Sequence, residues 1–108
     1  MTTLRVVFSS EALDDLLGLE ENLIEYTGSA PFAEAFVQRL KEFCDRTGMF
    51  PRSGKPIHLE GRPLRVVTFE KRYRVLYTLR NDQVFILGIH HVKRELSTAG
   101  QKVLHHLP

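Results

Sequence analysis

The chain has 108 residues, and 43% of them are hydrophobic. This is long enough to bury one core and too short for two, so we expect a single domain over residues 1–108. No apolar run approaches the roughly 18 residues of a membrane span, and the N-terminus lacks a secretory signal pattern. We therefore expect a soluble, cytoplasmic protein.

The single cysteine, Cys44, excludes an internal disulfide and a cysteine-rich zinc site. Its helical spacing from apolar residues predicts a buried, inert thiol.

The net charge of +2 hides a strong asymmetry between the two halves of the chain. Residues 1–50 carry 4 Lys or Arg against 9 Asp or Glu, a balance of −5. Residues 51–108 carry 11 against 4, a balance of +7. An acidic half joined to a basic half predicts contact with an oriented polyanion or with an acidic protein partner, and the charges alone do not choose between them.

The first half predicts a short strand at residues 4–8 followed by two amphipathic helices. Ser9 and Ser10 suit the cap of the first helix, whose apolar stripe is expected to comprise Leu13, Leu16, Leu17, Leu23 and Ile24. A break at residues 27–29, with Pro31 in the next helical turn, indicates a second helix. Its apolar positions are Phe32, Ala33, Phe36, Val37, Leu40, Phe43 and Cys44. Because the connection is short, the two helices should form an antiparallel hairpin.

The second half predicts strands. Residues 49–63 contain three prolines and two glycines, so they are expected to form a loop. Three runs rich in β-branched and aromatic residues follow at 64–69, 73–80 and 84–89, and their short links predict an antiparallel meander. In the middle run the odd-numbered positions are the more apolar, so that face should receive the helices. The predicted fold is an α+β domain of order βααβββ, an antiparallel helical hairpin on an antiparallel sheet of three to four strands.

A series of short motifs runs along residues 4–96. In chain order they are a Ser-Glu-Ala helix start, Phe50-Pro51 with Gly54-Lys55-Pro56, Leu64-Arg65, Tyr73-Arg74-Val75-Leu76-Tyr77, and Ile86-Leu87 leading to His91-Val92-Lys93-Arg94-Glu95-Leu96. In order and spacing these motifs resemble the ParE toxins of the RelE/ParE superfamily. The resemblance implies the same βααβββ fold and a role as the toxin of a type II toxin–antitoxin (plasmid stabilisation) module. It also implies a cognate antitoxin, ParD-like and encoded adjacently, whose C-terminal segment wraps the toxin.

The superfamily holds two activities of different classes. For the ParE branch the resemblance implies inhibition of DNA gyrase, and for the RelE branch it implies metal-independent cleavage of mRNA on the ribosome. Such cleavage needs a general base, for which His91 or Glu70 is available, and cations on the phosphate, for which Arg65, Lys71 and Arg74 are available.

Two features favour gyrase inhibition without catalysis. A net charge of +2 gives only a small cationic footprint for ribosome binding. The last motif also has the His-x-Lys-Arg-Glu-Leu ending of ParE rather than the His-Tyr or similar pair of RelE-like nucleases. A toxin relative that has lost its activity is the third alternative.

Arginines in the predicted sheet suggest where an antitoxin binds. Arg65, Arg74 and Arg80 are predicted to contact it, with Tyr73 beside them, because guanidinium groups pair bidentately with the carboxylates of an acidic tail. The alternative is that these arginines form only the solvated face of the sheet.

The segment at residues 85–96, FILGIHHVKREL, passes from an apolar strand into a cationic corner. We expect the strand half to be core, and His91, Lys93 and Arg94 to dock the target; a plain strand end is the alternative. His90 and His91 point to opposite sides of a strand, so one should point inward and the pair is a poor metal site.

No metal, other cofactor or membrane contact is expected, and direct nucleic-acid binding is left open. The tail is expected to form a short helix or a frayed end.

Overall fold

The computed structural model describes residues 3–93, which contain two helices and five strands. In chain order these are β1 (Arg5–Phe8), α1 (Ser10–Thr27), α2 (Ala30–Arg46), β2 (Lys55–Leu59), β3 (Arg62–Phe69), β4 (Tyr73–Arg80) and β5 (Gln83–His91). The strands form one sheet of order β1-β5-β4-β3-β2, in which β1 runs parallel to β5 and the other neighbours are antiparallel. The predicted α+β class is confirmed. Arg94 and the tail at 97–108 lie outside the described residues.

Capping residues fix the ends of both helices. The Ser9 hydroxyl accepts the N–H of Ala12 at 3.0 Å and so begins α1. The helix ends at Gly28, whose φ of 70° is left-handed and therefore suits glycine. Ser29 then caps α2 by accepting the N–H of Phe32 at 3.2 Å. With only two residues between them, α1 and α2 fold back on each other as the predicted hairpin.

The apolar stripes predicted for the helices are only partly buried. Leu16 is buried and Leu23 is half-buried against the core, as expected. Four other members of the stripes are between 36% and 61% exposed, so the core takes up only part of each apolar stripe. These exposed side chains are Leu13, Leu17 and Ile24 of α1 and Phe32 of α2. The apolar positions span more of each helix circumference than the sheet and the partner helix can cover. Neither helix is long and apolar enough to cross a bilayer in the part of the chain that the structure describes.

One strand falls inside the segment predicted to be a loop. Residues Lys55–Leu59 form β2 and pair antiparallel with β3, which itself begins at Arg62 rather than at residue 64. The loop prediction for 49–63 is therefore wrong over these residues, and the sheet has five strands rather than three to four. β2 lies at the edge of the sheet, where a proline such as Pro56 is readily tolerated.

The two faces of the sheet carry separate apolar clusters. The larger cluster joins the sheet to the helices, and its buried members are Ala12, Leu16, Leu19, Phe36, Val37, Leu40, Cys44, Phe69, Val75, Tyr77, Val84, Ile86 and Ile89. The smaller is built around Leu64, Leu76 and Leu87. The odd-numbered face of β4 receives the helices as predicted, because Val75 and Tyr77 belong to the larger cluster and Leu76 to the smaller. The buried thiol was also predicted correctly: burial, aided by the Asp45 carboxylate, raises the pKa of Cys44 to about 12.

Candidate functional site

A groove of about 1230 Å³ opens between α1 and one end of the sheet; we call it the α1 groove. Part of its lining is apolar and includes Leu19, Leu23 and Ile89. From one side α1 supplies three carboxylates, those of Asp14, Asp15 and Glu25. From the other side the β3–β4 turn and the end of β5 supply three cations, Lys71, Arg72 and Lys93. The groove therefore suits a segment that has an apolar side and charges of both signs.

The α1 groove exists because β5 extends beyond its neighbour β1. β1 pairs only with residues 83–86, and past this point α1 takes over the open edge of β5. The Ser9 hydroxyl donates to the Leu87 carbonyl at 3.2 Å, and Asp15 Oδ2 accepts the Ile89 N–H at 2.9 Å. These two hydrogen bonds hold α1 against the end of β5 and so fix one side of the groove.

The two adjacent histidines lie in different surroundings, as predicted. His90 is only 4% exposed, and its Nε2 lies 4.0 Å from Asp15 Oδ2. His91 is half-buried; its ring packs edge-on against Tyr73, with centroids 5.3 Å apart, and its Nδ1 accepts the N–H of Lys93 at 3.1 Å. A neutral imidazole that accepts at Nδ1 carries its proton on Nε2. In this arrangement the Nδ1 lone pair of His91 is engaged by the backbone of Lys93.

Tyr73 connects the α1 groove to the core. Its ring also packs edge-on against Phe36 of α2, with centroids 5.7 Å apart. Partial burial raises the pKa of the Tyr73 hydroxyl above its ordinary value of 10.0, and the positive charge of Arg72 opposes this shift. The hydroxyl therefore stays protonated near neutral pH and can donate a hydrogen bond to a ligand in the groove.

The charge asymmetry of the sequence has its structural counterpart here, because the α1 carboxylates come from the acidic half and the opposing cations from the basic half. The sequence alone did not identify Asp14, Asp15 or Glu25 as site residues; the charge asymmetry was the available signal. Glu70, a candidate base at the β3–β4 turn, pairs instead with Arg39 of α2 at 3.4 Å.

The four residues predicted to contact an antitoxin are not brought together. Nη1 of Arg65 donates to two backbone carbonyls of the loop after α2, at 3.1 and 2.7 Å. Alternation along β4 places Arg74 and Arg80 on the sheet face opposite Tyr73, and of the four only Tyr73 lines the α1 groove. Their roles as antitoxin contacts stay predictions.

The set of residues proposed for RNA cleavage is also dispersed. His91 and Lys71 both line the α1 groove, as does Lys93 of the predicted target-docking corner. Arg65 holds the loop after α2, and Arg74 lies between Thr68 and His90 on the opposite sheet face. Within residues 3–93, no three His, Cys, Asp or Glu side chains lie close enough to hold a metal ion.

Solved structures of toxin–antitoxin systems share this fold, among them the following two. The chromosomal ParDE toxin–antitoxin system from P. aeruginosa superposes with a TM-score of 0.73 and 19% sequence identity, covering 83% of this chain and 97% of that chain. The RelBE2 toxin–antitoxin complex from Mycobacterium tuberculosis gives a TM-score of 0.55 and 24% identity, covering 83% of this chain and 99% of that chain. At such identities these likenesses establish the fold alone.

The comparison with protein families identifies the family of the chain as well as its fold. No curated protein matches the chain. The sequence pattern of a family described as "ParE toxin of type II toxin-antitoxin system, parDE" matches residues 6–96, which is most of the chain, and confirms the resemblance seen in the motifs. The chain belongs to the ParE toxin family of type II toxin–antitoxin systems.

Proposed function

We propose that this toxin is held inactive by an antitoxin encoded beside it, that a segment of this antitoxin binds in the α1 groove, and that the cellular target, reached in the cytoplasm, is DNA gyrase. The observation that carries the proposal is the α1 groove. The chain belongs to a family of toxins from toxin–antitoxin systems, and the groove offers a binding surface lined by carboxylates from α1 and by cations from the β3–β4 turn and the end of β5.

The lining of the α1 groove indicates the chemistry of the antitoxin segment. Leu19, Leu23 and the Tyr73 ring provide apolar contact area, so the segment needs a matching apolar side. Its carboxylates are expected beside Lys71 and Lys93, where charge-assisted hydrogen bonds are stronger than neutral ones. A segment placed in this way covers the cationic corner and would therefore prevent a target from reaching it.

Gyrase inhibition is supported by the ParE family match and by the geometry of the histidine. His91 presents Nδ1 to the N–H of Lys93, and the cations needed beside a scissile phosphate lie on two faces of the sheet. RNA cleavage would need a free base and converging cations. Docking to a protein target needs only the surface charge and shape of the corner.

The antitoxin site is tested by charge reversal. In the double variant Lys71→Glu/Lys93→Glu, the affinity for the purified antitoxin should fall by at least about tenfold, because like charges replace opposite ones at two contacts. Lys41→Glu, at an exposed position of α2 outside the groove, is the matched control and should bind as the wild type does. Calorimetry at two salt concentrations makes the comparison.

Two results would contradict the groove assignment. One is equal loss of affinity in Lys41→Glu, which would indicate a general charge effect. The other is unchanged affinity in the double variant. Failure of toxin and antitoxin to co-purify at micromolar concentration would reject the pairing itself, and failure of the toxin to inhibit supercoiling would reject gyrase as its target.

A further inference from the structure

Two side chains of the sheet hold the loop between α2 and β2 by hydrogen bonds to its backbone. The hydroxyl of the fully buried Tyr77 accepts the N–H of Gly54 at 2.9 Å and donates to the Pro51 carbonyl at 2.8 Å. Nη1 of Arg65 donates to the carbonyls of Arg52 and Gly54. Two side chains of the sheet thus fix the backbone of residues 51–54.

This firmly held loop presents apolar side chains to solvent. Met49 is 51% exposed and Phe50 is 57% exposed. The Phe50 carbonyl accepts the N–H of Ser53 at 3.0 Å, so the backbone that carries the ring is itself part of a turn. A large apolar side chain on a rigid, exposed loop loses little conformational entropy on binding, and such residues are frequent anchors of protein interfaces. We refer to residues 49–54 as the Phe50 loop.

Phe50 forms part of a second groove of about 530 Å³, between the end of α2 and strands β2 and β3. Phe43 and Val67 give this groove apolar lining, and Arg46 lies over the Phe43 ring at 5.8 Å. Its charged lining is cationic, from Arg46 and Lys55, and no carboxylate lines it among the described residues. The α1 groove differs in having both signs of charge, and the two grooves have no lining residue in common.

We propose that the Phe50 loop is a docking surface for the toxin's protein target, and that it takes an acidic segment of that target with an aromatic or aliphatic side chain as its anchor. The one-sign cationic lining selects an acidic segment, and the apolar lining beside Phe50 accepts the anchor. This inference rests on the proposed function, in which the target is a protein. It gives the target two contacts, an anchor at the Phe50 loop and the cationic corner beside the α1 groove, and the antitoxin in that groove covers only the second.

The chain offers a closely matched pair of variants for the test. Phe50→Ala removes the proposed anchor, and Phe32→Ala removes a ring of similar exposure, 50%, from α2 outside both grooves. Each variant is expressed without the antitoxin to measure growth arrest, and is purified to measure affinity for DNA gyrase and for the antitoxin. Thermal unfolding confirms that both variants are folded. A second variant, Arg46→Glu/Lys55→Glu, tests the charges without altering the ring.

The expected result is selective. Phe50→Ala and the charge variant should abolish growth arrest and weaken gyrase binding by at least about tenfold, with antitoxin affinity within about twofold of the wild type. Phe32→Ala should behave as the wild type does in all three measurements. Full growth arrest by Phe50→Ala would overturn the inference. A comparable loss of antitoxin affinity would overturn it too, because the loop would then belong to the antitoxin site.

Failure of the inference and failure of the proposed target are distinguishable. If the wild type arrests growth but does not bind gyrase, gyrase is the wrong target, and growth arrest by the variants still decides the role of the loop. If the wild type neither arrests growth nor binds gyrase, both proposals are rejected.

Discussion

The hydroxyl of Tyr77 offers the sharpest test of how the Phe50 loop is held. In Tyr77→Phe two hydrogen bonds are lost, to Gly54 N–H and to the Pro51 carbonyl, and the buried Gly54 N–H is left without its acceptor. Net contributions are about 0.5–1.5 kcal/mol per hydrogen bond, and an orphaned buried group costs about 1–3 kcal/mol. We therefore expect the free energy of unfolding to fall by about 2–3 kcal/mol, equivalent to roughly 10–20 °C in Tm for a domain of this size.

Urea unfolding followed by circular dichroism measures this change. Tyr26→Phe is the matched control, because Tyr26 is 90% exposed and its hydroxyl is accessible to water in the folded state. The control should lie within about 0.5 kcal/mol of the wild type, as exposed substitutions usually do. If Tyr77→Phe is as stable as the control, the loop is not held by these hydrogen bonds.

Four further predictions concern local structure. Lys71 has a left-handed φ of 61°, so Lys71→Gly should raise the free energy of unfolding by about 0.5–1 kcal/mol in urea; lower stability would contradict the proposed backbone strain. In Gly54→Ala the new Cβ would lie 2.6 Å from the Tyr77 hydroxyl oxygen, so stability should fall by about 2 kcal/mol, and an unchanged urea midpoint would show that the loop can adjust. Cys44 should resist a thiol reagent in the native state at pH 8 and react fully in urea, whereas rapid native labelling would show that its site opens. Because its pKa is raised from 9.0 to about 12, the unfolded thiol ionises first and its contribution to stability should be lost as pH rises from 9 to 12.

The helices and the central strands were predictable because their signals are local. The hydroxyls of Ser9 and Ser29 and the flexibility of Gly28 mark helix ends within a few residues of sequence. The alternation in residues 73–80 correctly identified the face that receives the helices. β2 was missed because Pro56 and the neighbouring glycines were interpreted as loop signals. In the structure Glu60 and Gly61, both with positive φ, form the two-residue turn of a β2–β3 hairpin.

The candidate site was less predictable because it depends on contacts between distant residues. The α1 groove requires Asp15 to reach Ile89, 74 positions further along the chain. Arg65 and Arg74 look alike in the sequence, but the strand register places them on opposite faces of the sheet. Tyr73, His91 and the surplus of charge in each half were visible in the sequence; their meeting in one groove was not.

The proposed function requires that the isolated toxin inhibit DNA gyrase and that occupation of the α1 groove relieve the inhibition. The most direct measurement is the rate of supercoiling by purified gyrase at increasing toxin concentration, with and without an equimolar amount of the antitoxin encoded beside it. We predict a dose-dependent fall in rate that the antitoxin reverses for the wild type and reverses far less for Lys71→Glu, a groove variant that keeps Lys93 of the target-docking corner. A rate that stays constant at a large excess of folded toxin would contradict the claim.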